Sequence, residues 1–561
     1  MRPRSLFQLL ALFGVAALVL SACGGSSKKK SSAAGGSGGT LTTLAQAAAP
    51  GSPDPQINYT LQEWQMLIMT HDGLTAFKKA GGLAGTQVVP DLATTIPNPT
   101  EGGKTYVFTL RKGIKFSDGT TLKASDVTRT FERNFAVHGP TAGTFYKTIV
   151  GAAACLKTPA TCDLSKNGVI ADDANNTVTF HLTSGDPEFL QKLAVPFASI
   201  LPPSTPMKAV QIPPPGTGPY KFVEYNLHKG IKLVRNPFFK VWSKDAQPAG
   251  KPDVIIQKFG LGPEAEVTQV ENGQADWMFD PVPADRLNEL SNKFPDQVHI
   301  NPLTADYYMA FNVRVPPFNN LKARQAVNFA TDRNALVKIY GGPKLAVPSC
   351  QILPPNFPGY KPYCPYTKNP GSGKWTAPDL AKAKQLIAAS GTKGASVKVN
   401  TDTTDTNKAF GLYFVGLLNS LGYKASLQAL SPDLQYAYCQ NSKNKVQFCW
   451  SAWSQDYPAA SDFINILFGC SSFVPNSDAS PNLSEYCNKS VQAQIDQALK
   501  QAITDPTGAN VKWAAIDKEI TDQAGWVEMF NPKQLDFTGK RVKGYQFSPQ
   551  WYFLLDLASV K

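Results

Sequence analysis

The chain has 561 residues, of which 42% are hydrophobic and 17% charged, and its formal net charge is +13. This length predicts two or three domains, and the hydrophobic content excludes a chain that is disordered throughout. The positive charge is dispersed except at Lys28–Lys30, which argues against a nucleic-acid-binding protein. A mean hydropathy of −0.21 excludes a polytopic membrane protein.

The N-terminal segment has the pattern of a signal peptide. Two arginines precede the apolar run Leu6–Leu20, which is too short to cross a bilayer comfortably. The run ends in LSAC at Cys23, which resembles the lipobox of bacterial lipoproteins, where this cysteine is acylated. We therefore expect a lipoprotein signal peptide at 1–22, lipidation of Cys23 and a flexible tether at 23–39. An ordinary signal peptide with an incidental cysteine is the alternative.

This reading places the protein outside the cytoplasm, anchored on the outer face of the cytoplasmic membrane. Eight further cysteines, an even number in an exported protein, indicate disulfides. Of the 105 pairings that eight cysteines allow, proximity in the sequence favours Cys155 with Cys162, Cys350 with Cys364, Cys439 with Cys449, and Cys470 with Cys487. A zinc site is the alternative, but the sequence has no CxxC motif and no histidine cluster.

Strand patterns come first along the chain. Residues 40–47 are predicted to form the first strand, and 105–116 have the clearest alternation, with aromatic residues at 106 and 108. A helix is predicted to begin at 124–127. In the strand predicted at 177–182, Val178, Phe180 and Leu182 share one face and His181 lies on the polar face.

Helical patterns dominate the second half. A proline-rich connector at 202–218 is expected between lobes, followed by a strand from Tyr220. Apolar spacing predicts helices at 320–330, from Asp332, and at 376–390, the last with a capping box formed by Thr376 and Asp379 and with Gly391 as its stop. The mixture predicts an α/β fold.

Motifs of the common enzymes are missing. The sequence contains no GxSxG, HExxH, Walker A or GxGxxG motif, and its five histidines are far apart. Nothing therefore indicates an enzyme, and no cofactor or metal is expected.

Several blocks, in order along residues 40–561, resemble one family. The most specific is Thr105–Gly119 (TYVFTLRKGIKFSDG), in which Ser117 replaces the family's usual histidine. Further blocks are GTGPY at 216–220, RNP at 235–237, FN at 311–312 with PPF at 316–318 and RQA at 324–326, DR at 332–333, 381–391, and DYP at 456–458. Together they are similar to extracellular solute-binding protein family 5, the oligopeptide- and dipeptide-binding lipoproteins of ABC importers.

This resemblance implies an α/β, two-lobed periplasmic-binding-protein-like fold (type II, cluster C) with an inserted domain and a ligand cleft that closes by hinge motion. By that resemblance, 40–80, 200–310 and 530–561 form lobe I, 81–199 a subdomain inserted in it, and 311–529 lobe II. The expected partners are a peptide or other small solute and the permease and ATPase subunits of an ABC transporter, with the protein itself a monomer.

The resemblance also points to ligand-binding residues. In peptide-binding members, a carboxylate three residues after a tryptophan meets the ligand's α-ammonium, and Trp453 and Asp456 match this pattern, although Ala459 and Ala460 replace the family's second acidic residue. Asp456 could instead only open the turn at Tyr457. Trp450 and Trp453 are spaced to share a helical face or to flank a loop, and they could wall the cleft. Tyr307 or Tyr308 could point into it. Packing in the core is the alternative for all four.

The leading hypothesis is a lipid-anchored receptor that captures oligopeptides or similar solutes for an ABC permease, without catalysis. Two other classes remain open: an anchored extracytoplasmic hydrolase, and a ligand sensor or adhesin on the same fold.

Overall fold

The computed structural model describes residues 38–49, 52–478 and 480–560. The predicted signal peptide and the lipidation site at Cys23 lie outside the described residues. The strands are β1 (Thr40–Ala45), β2 (Thr75–Phe77), β3 (Val88–Pro90), β4 (Thr105–Thr109), β5 (Val169–Asp172), β6 (Thr177–His181), β7 (Tyr220–Asn226), β8 (Gly230–Arg235), β9 (Val254–Phe259), β10 (Trp277–Met278), β11 (Val298–Pro302), β12 (Ala305–Phe311), β13 (Ala346–Pro348), β14 (Ser396–Asp402), β15 (Lys424–Leu430), β16 (Phe448–Ser454), β17 (Trp526–Phe537), β18 (Val542–Lys543), β19 (Phe547–Ser548), β20 (Tyr552–Phe553) and β21 (Ser559–Val560).

The helices are α1 (Leu61–Leu67), α2 (Ala124–Ala136), α3 (Ala142–Phe145), α4 (Ala152–Lys157), α5 (Phe189–Lys192), α6 (Pro263–Glu271), α7 (Leu287–Lys293), α8 (Leu321–Ala330), α9 (Arg333–Tyr340), α10 (Leu380–Ser390), α11 (Asp405–Ser420), α12 (Pro432–Gln440), α13 (Ala460–Phe468), α14 (Lys489–Ala502) and α15 (Pro506–Asp522).

A five-stranded sheet in the order β10-β1-β9-β8-β7 is built from the first half of the chain. Strand β1 runs parallel to β9 and β10, and β7, β8 and β9 form an antiparallel meander. Leu41, Leu233 and Ile255 are buried on one face of this sheet, where they meet Val560 near the end of the chain. The first and last strands of the described chain therefore share one core.

A three-stranded sheet, β4-β6-β5, packs against α2. Its alternation follows the sequence prediction: Phe108, Val178 and Phe180 are buried, while Val107 is 51% exposed. Strand β4 ends at Thr109 and not at 116, because its partner strand β6 begins at Thr177, opposite Thr109. His181 is half-buried, with its Nδ1 3.1 Å from the hydroxyl of Thr105.

The largest sheet has seven strands, in the order β11-β17-β12-β16-β14-β15 with β13 also on β17. Helices α8–α11 cover one face and α13–α15 the other, each over its own apolar cluster. Strand β12 contributes to both, with Tyr308 and Ala310 facing one cluster and Met309 and Phe311 the other. The result is a layered α/β/α body.

The helix predictions of the second half are largely confirmed. Asn320 and Asp332 cap α8 and α9 with their side chains, and Gly391 ends α10 with a φ of 68°. The capping box at Thr376 is wrong: the backbone N–H of Thr376 donates to Thr367, and α10 starts after Asp379, whose side chain caps it.

Four disulfides join the neighbouring pairs that the sequence suggested: Cys155–Cys162, Cys350–Cys364, Cys439–Cys449 and Cys470–Cys487. Within the described residues, no group of three or more His, Cys, Asp or Glu side chains is arranged to hold a metal ion. The same part of the chain contains no helix with the length and apolar character needed to cross a bilayer.

Candidate functional site

A cavity of about 570 Å³ lies where four parts of the chain meet. They are the start of α1, the segment around α3, helix α12 with the end of β16, and the loop between β19 and β20. The volume is within the range of about 300–1,000 Å³ found for ligand pockets. Its lining residues are Tyr59, Thr60, Leu61, Trp64, Pro140, Thr141, Thr144, Phe145, Thr304, Tyr436, Gln440, Ala452, Trp453, Ser454, Gln455, Asp456, Ile466, Asp478, Pro481, Pro549, Gln550 and Tyr552.

Asp456 is the buried acid of this cavity, with 7% of its surface exposed. It follows the end of β16, and its position is fixed through its backbone: its N–H donates to Asp462 Oδ2 at 3.0 Å, and its carbonyl accepts from Gln550 Nε2 at 2.8 Å. Its Oδ2 accepts from the hydroxyl of Tyr59 at 2.5 Å. The backbone of Asp456 therefore holds the turn at Tyr457. The side chain of Asp456 is left to contact Tyr59 at the cavity wall.

The electrostatics of this acid are unusual. Burial raises the pKa of Asp456 from its usual 3.8 to about 7, and the hydrogen bond from Tyr59 opposes that rise. Burial, together with the charge of Asp456, raises the pKa of Asp462 well above its usual range. Each of the two carboxyl groups thus disfavours ionisation of the other. A cation bound to Asp456 would stabilise its ionised form and offset this repulsion.

A polar network continues behind Asp462 and joins the α5 region to α13. Glu188 accepts hydrogen bonds from the hydroxyls of Ser461 and Tyr457. Lys192 lies 2.8 Å from Asp186 and 3.5 Å from Glu188. This buried lysine is therefore already paired with two acids.

Aromatic rings form much of the cavity wall. Trp453 is half-buried and donates from its Nε1 to Asp462 at 3.4 Å. Tyr59 stacks on Trp64 at 5.6 Å between ring centroids, and 44% of its surface is exposed. Phe145, Tyr436 and Tyr552 complete the aromatic lining. Flat apolar walls with a few polar groups are typical of small-molecule sites.

Of the predicted site residues, the structure brings Asp456 and Trp453 to the cavity and places three others elsewhere. Trp450 and Trp453 were expected to share a helical face or flank a loop, but both lie on strand β16, where a spacing of three puts them on opposite faces. Trp450 and Tyr307 pack in the cluster under α8–α11, while Tyr308 lies against Trp526 in the other cluster. These three aromatic residues therefore fill the interior and do not line this cavity.

The sequence analysis missed the partners of Asp456. Tyr59 precedes it by 397 residues, and Gln550 follows it by 94. Neither lies in a block that resembles the family. Tyr59 lies directly before Thr60, whose side chain accepts from the backbone N–H of Glu63 and caps α1. Such a cap is a local signal and does not reveal a contact with Asp456.

The sheets of the two halves of the chain, the aromatic cavity and the buried carboxylate in its lining are the features of two-lobed periplasmic ligand-binding proteins. The sequence model described as "Bacterial extracellular solute-binding proteins, family 5 Middle" matches residues 87–474. The chain belongs to this family.

Relatives and solved structures agree with this assignment. The chain is 26% identical over 488 residues to a dipeptide-binding protein of Escherichia coli K12, covering 83% of this chain and 84% of that protein. It is 25% identical over 475 residues to the glutathione-binding protein GsiB of Salmonella paratyphi A, covering 82% and 84%. The fold matches that of "Clavulanic acid biosynthesis oligopeptide binding protein 2" with a TM-score of 0.83 at 22% identity, covering 94% of this chain and 96% of that one.

Proposed function

We propose that this solute-binding protein captures oligopeptides or similar solutes outside the cytoplasm and delivers them to the permease of an ABC transporter, without catalysis. The carrying observation is Asp456, a 93%-buried carboxylate at the wall of a large aromatic cavity. The names of the relatives, a dipeptide-binding and a glutathione-binding protein, support a peptide-like ligand. The partner ATPase would supply the energy for transport.

In this proposal Asp456 receives the α-ammonium of the ligand. A buried carboxylate with a single hydroxyl donor is incompletely solvated, and a charge-assisted hydrogen bond to an ammonium contributes about 1.5–3 kcal/mol net. Trp453 and Tyr59 supply flat surfaces beside it for the ligand's first side chain.

The proposal includes a lipid anchor at Cys23 on the outer face of the cytoplasmic membrane, supported by the apolar run and the LSAC sequence. Metabolic labelling with a radioactive fatty acid tests it: the wild-type protein is expected to be labelled and to sediment with membranes, and Cys23→Ser to be unlabelled. Labelling of Cys23→Ser would contradict the anchor at this residue.

The lobe boundaries 40–80, 200–310 and 530–561 for lobe I, 81–199 for the inserted subdomain and 311–529 for lobe II are part of the same proposal. The five-stranded sheet and the three-stranded sheet support the first two groups. Strand β11 and the start of β12 pair within the seven-stranded sheet, which favours moving the boundary at 310 toward the N-terminus.

Transport is tested by uptake of a labelled tripeptide amide in the native bacterium with and without this chain. Uptake is expected to fall when the chain is deleted and to fall equally when Asp456→Asn replaces it, while Asp285→Asn, the same chemical change at an exposed position, restores uptake. Binding of the tripeptide without any change in uptake would favour a sensor, and release of cleaved peptide by the purified protein would favour a hydrolase.

A further inference from the structure

The charges that line the cavity have one sign. Among the described lining residues, the charged side chains are Asp456 and Asp478, both acidic. Behind Asp456, burial raises the pKa of Asp462, which favours its neutral form, and Lys192 is paired with Asp186 and Glu188. No basic side chain is among the described lining residues, so an ionised Asp456 favours a cation over an anion in this cavity.

One oxygen of Asp456 is available to a ligand. Its Oδ2 accepts from Tyr59, whereas its Oδ1 accepts no hydrogen bond from any residue in the described part of the chain. Asp456 is only 7% exposed, but its Oδ1 is not one of the enclosed atoms, so a ligand can reach this oxygen and donate to it. Because Asp456 lines the cavity, a ligand in the cavity can supply this hydrogen-bond donor.

The aromatic wall favours the same charge. Tyr59, Trp64, Tyr436, Trp453 and Tyr552 line the cavity, and the face of an aromatic ring attracts ammonium groups by the cation–π interaction. Gln455 adds a further acceptor, since its buried Oε1 has no partner among the described residues.

We propose that the cavity selects ligands whose enclosed part carries a net positive charge. Such a ligand has an amine bound to Asp456, attached to a neutral body with no carboxylate inside the cavity. A C-terminally blocked peptide or a longer peptide whose carboxylate lies outside fits this class, whereas a zwitterionic di- or tripeptide places its carboxylate where no described lining residue is basic. This inference rests on the proposed function and narrows its ligand class.

The test compares four forms of one tripeptide, Ala-Phe-Ala, by isothermal titration calorimetry on the refolded, ligand-free protein at pH 7.5: the free acid, the C-terminal amide, the N-acetyl amide and the N-acetyl acid. The amide is expected to bind at least about 10-fold more tightly than each of the other three. A free acid that binds as tightly as the amide, or more tightly, overturns the inference and leaves the peptide-binding function intact.

Two variants test whether the charge of the lining, and not the shape of the cavity, determines the preference for the amide. In Asp456→Asn the advantage of the amide over the N-acetyl amide is expected to disappear, while Asp285→Asn keeps it. Gln440→Lys places a cation in the lining and is expected to raise the affinity of the free acid toward that of the amide; an unchanged ratio between the two forms contradicts the inference.

A fifth probe distinguishes failure of the inference from failure of the proposed function. If none of the four peptides binds, the peptide function falls, and phenethylamine decides the ligand charge. Binding of phenethylamine that is lost in Asp456→Asn supports the cation-selective cavity. Absence of binding by both the peptide amide and phenethylamine overturns it.

Discussion

The raised pKa of Asp456 predicts that its replacement stabilises the ligand-free protein. The carboxyl group keeps its proton to about pH 7 in the folded state but ionises near its usual 3.8 in the unfolded chain. Between these values the unfolded state releases a proton that the folded state retains, so the free energy of unfolding falls as the pH rises from about 4 to 7. The gap corresponds to about 4 kcal/mol above pH 7 and roughly 2 kcal/mol at pH 5.

Asp456→Asn removes the loss of stability that comes from the raised pKa of Asp456, because the amide cannot ionise. The Asn carbonyl can still accept the hydrogen bond from Tyr59. We therefore expect the variant to gain stability over the wild type, and to gain about 2–3 kcal/mol more at pH 8 than at pH 5. Differential scanning calorimetry of both refolded proteins at the two pH values measures this difference. The control Asp285→Asn, at an exposed site, should change stability by less than about 0.5 kcal/mol. A variant that is less stable than the wild type at pH 8, or equally stabilised at both pH values, refutes the reasoning.

Three further predictions follow from the site. The affinity for phenethylamine, whose ammonium stays charged throughout, should fall about 8-fold between pH 7.5 and pH 6 in titration calorimetry, because ionised Asp456 is lost below its pKa of about 7; a flat profile contradicts this. Tyr59→Phe removes the hydrogen bond that lowers the pKa of Asp456, so the whole pH profile of affinity should move to higher pH, whereas a purely structural role would weaken binding equally at every pH. Replacing Cys439 and Cys449 by Ser removes a disulfide with a sequence separation of 10 beside the cavity helix α12. The double variant should lose about 2–3 kcal/mol of stability and bind ligand more weakly. An unchanged melting temperature would contradict the estimate.

The parts of the fold that depend on local pattern could be predicted from the sequence. Phe108, Val178 and Phe180 alternate with exposed positions, and a period of two is visible without tertiary information. Asn320 caps α8 for the same local reason. The disulfides are the pairs that proximity in the sequence favours, because cysteines close in sequence can meet without long-range folding.

The site itself depends on contacts that no local pattern contains. Tyr59 reaches Asp456 from 397 residues away, so its role appears only when the lobes are assembled. The prediction that Trp450 and Trp453 share a helical face or flank a loop is wrong, because both lie on strand β16. Either a helix or a strand can carry two tryptophans three residues apart. Only the pairing of β16 with β12 and β14 decides that they face opposite sides.

The most direct test of the central claim is native mass spectrometry of the protein as purified, before and after mild denaturation that releases a bound ligand. The account predicts a family of peptide masses that carry an amine, released from the wild-type protein and absent from Asp456→Asn. Release of a single ligand without an amine, such as a sugar or an anion, from both proteins would contradict the account.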